Sequence, residues 1–504
     1  MNSAQGCAFL CNVVAFPEKS LRRWGLSCII SLFRTRNIHD ERNEIEMGTG
    51  KFLTVYPGKW TEREKPYAEE YYAKIKELED RGPIDVQALI SGKIEKGTQG
   101  FSNVLEVKED MMLYNAKKYD PENKLYTDDE YAKSLGYAGK IAMPAFGAHD
   151  DSFLTAFNGK ARDFLAVTGL HHEIEQLLPV YAGDTLYLVK DKLELIDLTP
   201  AEGSIYRNLV LKCTGSVYNQ KGEKVLGVMF SARENLKSYE DPADMTPGTR
   251  AWESPDWWTR PVHCYTDEDW QQIFDTWAKE DYRGDKVLYW EDVNVGDMPN
   301  VTIDGPIHAS CTPTPPYGMA VGGSRTMKEL ADPEVRAKMT RDPKYGVYVP
   351  ADMKEWDPEV PPYDDPRAKM GPPPDMPKEE KRSIFINFLG RDFAIHHINN
   401  WMGTHGWIQN IRWGIMTNPT EQGFSFPKNT AVCDMIEKIP AMAGKKCNTH
   451  GLQYDVMKIH SQVYDKYEKD GKHYVELGFW ITTINDDEIY EEGGATIVLP
   501  SKNA

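Results

Sequence analysis

The segment 392–405 concentrates side chains that can transfer protons. It contains one acid, Asp392, and three histidines, His396, His397 and His405. A carboxylate beside an imidazole is a general acid–base pair, so Asp392 with His396 or His397 is a candidate catalytic pair. A metal site is not expected, because the three histidines lack acidic or cysteine partners at the fixed spacing that metal ligands show.

Helical periodicity separates the two adjacent histidines. If the segment is a helix, Asp392 faces His396 at i, i+4, whereas Asp392 and His397 lie about 140° apart around the axis. His397 would then share a stripe with Phe393 and Trp401, which indicates core packing. Two interpretations stay open: a packed helix with partly buried histidines, and a catalytic site that uses His396 or His397.

Two similar sets of strands surround this segment. A charged helix over Tyr67–Asp80 comes first, and apolar residues then alternate with polar ones in the manner of half-buried strands. The predicted strands are 184–195, 208–217 and 224–231, and again 453–467, 474–484 and 489–499. The repetition predicts an internal duplication.

A tryptophan-rich helix lies between the two sets. It begins at the capping box Thr266–Asp269. Its apolar residues Trp270, Ile273, Phe274 and Trp277 fall at i, i+3, i+4 and i+7 and therefore share one face. We expect that face to hold the two halves of the chain together rather than to stack on a cofactor, and no cofactor is predicted.

Composition and charge exclude several classes of protein. The chain has 504 residues, 40% apolar and 27% charged, which is typical of a globular protein with two to four domains. Its net charge of −18 makes nucleic acid a poor partner. No apolar run is long enough to cross a bilayer, so a membrane is not an expected partner either. The eight cysteines show no C-x-x-C spacing, and we expect a reducing, cytoplasmic location without zinc or disulfides.

The sequence divides into four segments. We interpret residues 1–46 as a basic extension outside the core, with a targeting peptide as the less favoured alternative. Residues 47–235 and 286–500 are the two duplicated domains, and 236–285 is the tryptophan-rich linker. The second domain carries a proline-rich insertion at 340–380, which is predicted to be a loop or arm.

Two motifs in the first domain resemble a known family. Asn123-Lys-Leu-Tyr-Thr-Asp-Asp-Glu-Tyr-Ala132 with Gly136–Pro144, and then Pro179-Val-Tyr-Ala-Gly-Asp-Thr-Leu186, resemble stretches of MaoC-like dehydratases. The second domain opens with Tyr289-Trp-Glu-Asp-Val-Asn-Val-Gly-Asp297, which is similar to the opening of the C-terminal half in two-domain acyl dehydratases. Ile395–Gly403 and Gly493–Pro500 extend the similarity, and the first of these suggests that Phe393–Trp401 is the long central helix.

This resemblance implies both a fold and an activity. The implied fold class is α+β, a double hot-dog in which two helix-wrapped antiparallel sheets occur in one chain. The implied activity is reversible hydration of an enoyl-CoA, with an acyl-CoA thioester as substrate and an Asp/His pair in a G-D-x-N-P-x-H motif for proton transfer.

The motif is altered in both domains. In the first, Tyr126 occupies the histidine position and the acid may be Asp120, shifted by one residue, so this half is expected to hold substrate. In the second, one alignment keeps Asp392 and His397. Two competing alignments, through Leu330–Glu334 or Glu355–Glu359, leave a degenerate site.

Three functional hypotheses follow. The leading one is a hydratase or dehydratase that uses Asp392 with His396 or His397. Residues Tyr126, Trp401 and Gly403 are expected to contact its substrate. The alternatives are a hot-dog thioesterase and a decayed acyl-CoA-binding or assembly subunit. A homodimer is possible, and so is a monomer.

Overall fold

The structure is a computed structural model. It describes residues 53–148, 165–204, 206–237, 260–307, 327–350, 387–415, 435, 438–445, 451–484 and 486–503. The extension 1–46 and residues 351–380 of the proline-rich insertion lie outside the described residues, so the predictions about them, and the four segment boundaries, stay predictions.

In the part of the chain that the structure describes, ten strands form one antiparallel sheet and two form a hairpin. The strands are β1 Phe101–Glu106, β2 Leu165–Gln176, β3 Thr185–Asp197, β4 Tyr206–Tyr218, β5 Lys224–Lys237, β6 Thr302–Asp304, β7 Met339–Arg341, β8 Tyr348–Pro350, β9 Trp407–Ile415, β10 Met457–Lys469, β11 Lys472–Thr483 and β12 Asp486–Leu499. All six strands predicted from alternation are present.

The strand order reveals the duplication. The sheet runs β1-β3-β4-β5-β2-β9-β12-β11-β10-β6. Strands β1 to β5 form the first repeat, and β6 with β9 to β12 form the second. Numbered within its own repeat, each has the order 1-3-4-5-2, and the two meet where β2 pairs with β9, for example at His172 opposite Trp413. The predicted internal duplication and the α+β double hot-dog fold are therefore confirmed.

The described helices are mostly short. They are α1 Lys65–Arg81, α2 Val86–Ile90, α3 Glu109–Tyr119, α4 Lys124–Thr127, α5 Asp129–Ser134, α6 Asp267–Ala278, α7 Pro333–Arg336 and α8 Asn387–Met402. Within the described ranges, none combines the length and the hydropathy that crossing a bilayer requires.

Helix α8 lies in the core of the second repeat. It contacts β9 and β10 of its own repeat and α3 of the first. It buries residues on all sides, including Phe393 and Ile398, as a helix surrounded by other elements must. It ends at Gly403, whose φ of +71° favours glycine and whose N–H donates to the Asn399 carbonyl at 2.9 Å. The predicted helix across 393–401 is confirmed.

The linker helix α6 is fixed to the second repeat. Its capping box at Thr266 is present, and Trp270 and Trp277 are buried. Their indoles donate to the carbonyls of Gly346 at 2.8 Å and Ile303 at 2.9 Å. The bridge to the first repeat is made by the residues that follow the helix, so α6 places those residues over the seam.

Candidate active site

A buried carboxylate ends helix α3 of the first repeat. Asp120 is the C-cap residue and is fully buried. Three residues later, Asn123 caps α4 by accepting from the Leu125 N–H at 3.1 Å, and its amide donates to Asp120 Oδ2 at 3.2 Å. The cap of one short helix therefore fixes the carboxylate at the end of another.

The second repeat contacts the same carboxylate from α8. Asn399 Nδ2 donates to Asp120 Oδ2 at 2.8 Å and lies 3.2 Å from the hydroxyl of Tyr126. Burial first, and then the charge of Asp120, raise the pKa of Tyr126 well above its ordinary value. Tyr126 therefore stays a neutral phenol and lies at the seam between the repeats.

His396 reaches Asp120 from one turn earlier on α8. Its Nδ1 lies 3.4 Å from Asp120 Oδ1. On the other side of the ring, Nε2 lies 3.5 Å from Glu280 Oε2 and 3.1 Å from the side-chain amide of Asn400. The imidazole is thus placed between two carboxylates, one from the first repeat and one from the linker.

The two carboxylates set the charge of this imidazole. Burial alone lowers the pKa of His396, but the contacts with Asp120 and Glu280 raise it to about 10. Burial raises the pKa of Glu280, but the contacts with His396 and Lys328 lower it by more, so the pKa lies below its ordinary value. Lys328 forms an ion pair with Glu280 and lies 3.5 Å from Glu122. His396 is therefore an imidazolium at neutral pH.

One atom of each group in the pair is left without a hydrogen bond. Asp120 Oδ2 is held by Asn123 and Asn399, and His396 Nε2 faces Asn400, whereas Asp120 Oδ1 and His396 Nδ1 are buried atoms with no hydrogen-bond partner in the structure. These two atoms face each other at 3.4 Å without the geometry of a hydrogen bond. The arrangement can exchange protons with a third group that enters beside them.

The other predicted catalytic residues point elsewhere. His397 is buried, with Nδ1 3.0 Å from Thr302 Oγ1 and Nε2 2.7 Å from Ser461 Oγ. Burial, and then neighbouring histidine charges, lower its pKa to about 3, so it is a neutral core residue. Asp392 accepts a hydrogen bond from Arg391 Nε at 2.7 Å. A catalytic role for Asp392 or His397 stays a prediction, and neither belongs to the pair formed by Asp120 and His396.

The predicted substrate-binding residues lie in two places. Tyr126 is at the seam, beside Asp120. Trp401 and Gly403 are at the end of α8, where the Trp401 carbonyl accepts from Arg283 Nε at 2.5 Å and a Cβ on Gly403 would lie 2.7 Å from the Gly284 carbonyl. A role for Trp401 and Gly403 in binding substrate stays a prediction.

The competing alignments of the second domain differ in what the structure describes. The Asp332 side chain caps α7 and accepts from the Glu334 N–H at 2.8 Å. This is an ordinary helix cap, whereas residues 355–359 of the other alignment lie outside the described residues.

Sequence reasoning missed most of the supporting residues. Glu280 and Lys328 had no motif to identify them, because they meet only in the folded chain. Asn399 and Asn400 did carry a signal, since two adjacent amides between Ile398 and Trp401 require hydrogen-bond partners wherever that stretch is buried.

No protein-family model matches the sequence, and no curated protein matches it either. Several solved structures resemble the chain at low identity. One is a MaoC-domain protein from Chloroflexus aurantiacus assigned as a dehydratase, with 13% identity over 80% of this chain and 94% of that one and a TM-score of 0.41. Another is a double hot-dog protein from Mycobacterium tuberculosis, with 10% identity over 83% and 98% and a TM-score of 0.39. An R-hydratase from Pseudomonas aeruginosa has 20% identity over 27% and 79% and a TM-score of 0.19.

Proposed function

We propose that this chain is a hydratase or dehydratase that interconverts an enoyl thioester and the corresponding 3-hydroxyacyl thioester. The observation that carries the proposal is the pair of unbonded atoms, Asp120 Oδ1 and His396 Nδ1, which face each other across the seam. The reaction needs two such groups, because one proton is exchanged at C2 and another at the oxygen on C3.

The surroundings support proton transfer rather than a structural ion pair. A buried ion pair with a purely structural role would be expected to satisfy its donors and acceptors. Here the neighbours Asn123, Asn399 and Asn400 hold the far side of each group. The facing atoms attract each other at 3.4 Å but make no hydrogen bond. The intramolecular hydrogen bonds from the three asparagines therefore fix the orientation of the two groups, as in a preorganised site.

The substrate assignment comes from the motifs around 123–144 and 179–186, which resemble those of enzymes that act on acyl-CoA thioesters. Because the chain has a net charge of −18, the phosphates of CoA would need a local group of cations, such as Lys160, Arg162 or Arg412. Lys160 and Arg162 lie outside the described residues. Arg412 donates to the Tyr464 hydroxyl at 2.6 Å.

The test is a hydration assay on a panel of enoyl-CoAs of different chain length and branching. Asp120→Asn and His396→Gln are expected to lower kcat by roughly 10²–10⁴-fold, the usual contribution of a general acid or base. Asp191→Asn removes an equal charge beside Arg81 and should have wild-type activity. Circular dichroism of each variant checks that it is folded.

Three results would count against the proposal. The wild-type chain could be inactive on every enoyl-CoA. It could release free thiol without loss of the enoyl absorbance, which would indicate a thioesterase. Finally, Asp120→Asn could retain full activity, which would remove the pair from the reaction.

A further inference from the structure

The linker contributes a carboxylate to the site that the two repeats do not. Glu280 lies just after helix α6, and its side chain is only 3% exposed. It lies 3.5 Å from His396 Nε2 and 3.4 Å from Asn400 Nδ2, and it forms an ion pair with Lys328. The neighbouring linker residue Tyr282 donates to the Glu122 carbonyl at 2.9 Å, which ties this stretch to the first repeat.

We propose that Glu280 is a positioning residue that keeps His396 protonated, so that His396 gives a proton to the substrate oxygen and Asp120 takes the proton from carbon. This inference rests on the proposed function and assigns the direction of proton transfer within it. A neutral histidine would act as the base instead, and the two assignments predict different responses to pH.

The charged groups around the ring favour the protonated form. Asp120 approaches from the end of α3, and Glu280 approaches from the linker. The positive charge of Lys328 is directed at Glu280 and Glu122. On α8 itself, His397 is neutral. The nearest charges are therefore two carboxylates, one on each ring nitrogen.

The amide of Asn400 fits the same charge state. Its Oδ1 is buried and has no hydrogen-bond partner in the structure, while its nitrogen lies 3.1 Å from His396 Nε2. A half-turn of the amide presents Oδ1 to Nε2. That orientation requires a proton on Nε2, which the imidazolium and the neutral Nε2–H tautomer both carry, and it gives up the 3.4 Å contact between the amide nitrogen and Glu280 Oε2. The amide is therefore compatible with the charged ring, and the two carboxylates are what favour it.

The proton balance closes within the pair. In dehydration, Asp120 Oδ1 takes the C2 proton, the C2–H electron pair forms the double bond to C3, and the C3–O bond breaks. His396 Nδ1 gives its proton to the departing hydroxide, which leaves as water. The proton on Asp120 then moves to His396 across the 3.4 Å between them, and both groups return to their starting state. Hydration is the reverse.

The experiment compares Glu280→Gln with Asp281→Asn. Asp281 is the next residue, is exposed, and lies near Asn300, so it gives the same charge change without touching the ring. In the wild-type chain, kcat for dehydration should be flat from about pH 6 to about pH 9 and fall above that as His396 loses its proton. In Glu280→Gln, loss of one carboxylate at 3.5 Å should move that alkaline limb down by about 3 pH units, with KM little changed.

The lower pKa of His396 in Glu280→Gln should reduce kcat strongly at pH 9 and only slightly at pH 6. At pH 9, a group with a pKa near 7 is about one-hundredth protonated, so kcat should fall roughly a hundredfold, whereas at pH 6 it should change little. A variant that merely disturbed the fold would lose activity at both. Asp281→Asn should match the wild type throughout.

Histidine NMR separates this inference from the proposed function. The Glu280→Gln variant should lower the pKa of His396 whether or not the chain turns over a thioester. A wild-type His396 that titrates near 6.5, or a pH–rate profile whose alkaline limb does not move in Glu280→Gln, would overturn the inference even in an active enzyme. Inactivity on all thioesters together with the expected NMR shift would instead overturn the proposed function and support the pairing of Glu280 with His396.

Discussion

Removal of the Asp120 carboxylate is the most direct test of the charge of His396. The pKa of His396 is about 10 instead of 6.5. At about 1.4 kcal/mol per pH unit, that difference is about 5 kcal/mol in favour of the charged ring. Asp120 and Glu280 lie 3.4 and 3.5 Å from the ring nitrogens, and at an effective dielectric constant of about 20 each attraction is about 5 kcal/mol. Together the two attractions exceed the net stabilisation of the charged ring by about 5 kcal/mol, and this difference is the cost of burying the charge.

The Asp120→Asn variant leaves one carboxylate to offset that burial. The remaining attraction and the cost of burial are then nearly equal, so the pKa of His396 should return to roughly 6.5. Glu280→Gln should lower it by a similar amount, because the two carboxylates are at nearly equal distances. The asparagine keeps the shape of the side chain, and Asn123 and Asn399 can still contact it.

The measurement is an NMR titration of histidine ring carbons. The chain has 12 histidines, and the signal of His396 is the one that disappears in His396→Gln. Asp191→Asn serves as the control, because its carboxylate contacts Arg81 and Ser216 rather than His396. The reasoning is refuted if His396 titrates near 6.5 in the wild type, or if Asp120→Asn leaves its pKa near 10.

Three further predictions concern stability. Because the pKa of His396 is raised, its contribution to the free energy of unfolding is fully present below pH 6.5 and is lost as pH rises towards 10. His396→Gln should therefore flatten the alkaline decline of that free energy by up to about 1.4 kcal/mol per pH unit, as measured by denaturant titrations. His397 has a pKa of about 3, so its contribution to the free energy of unfolding is present above pH 6.5 and is lost as pH falls towards 3. His397→Asn should reduce the slope of that free energy against pH on the acid side by about 1.4 kcal/mol per pH unit. An unchanged slope would contradict the interpretation of His397 as a neutral core residue. Gly403→Ala should lower the free energy of unfolding by about 2 kcal/mol or more, for two reasons. The new Cβ would lie 2.7 Å from the Gly284 carbonyl oxygen, and the backbone φ of +71° is unfavourable for alanine. Gly444→Ala is the control, because Gly444 has a similar φ of +76° but no atom within 4 Å of its Cβ position, so it measures the backbone strain alone. Equal losses of stability in the two variants by thermal unfolding would show that the contact with Gly284 has no effect.

Local patterns predicted the strands and their duplication, whereas the double hot-dog fold was predicted from the resemblance to MaoC-like dehydratases. Strand β10 alternates clearly because one of its faces lies on the core, and a period of two is visible without knowledge of the partner strand. Strand β11 is buried along most of its length and alternates less. The duplication followed from finding the pattern twice. Helix α8 was predicted from similarity rather than periodicity, since a helix buried on all sides has no polar face to show the 3.6-residue repeat.

The site was predicted only in part, because its members meet over long distances in the chain. His396 was a candidate, but its predicted partner was Asp392, four residues earlier. Asp120 was noted as an acid, but Asn399 and Asp120 are 279 positions apart and no local rule joins them. Glu280 was not considered, because only the packing of α6 onto the second repeat brings the linker over the seam.

The distribution of the pair between repeats explains why neither motif looked intact. The first repeat has the acid and carries Tyr126 in place of histidine, and the second has the histidine and an aspartate that is bound to Arg391. Each repeat on its own reads as a degenerate site, yet together they supply one acid and one imidazole. The distance between those groups then depends on contacts across the seam, such as Tyr131 with Thr404 at 2.5 Å. In such a site, the registry of the two repeats determines catalytic geometry as directly as the side chains themselves.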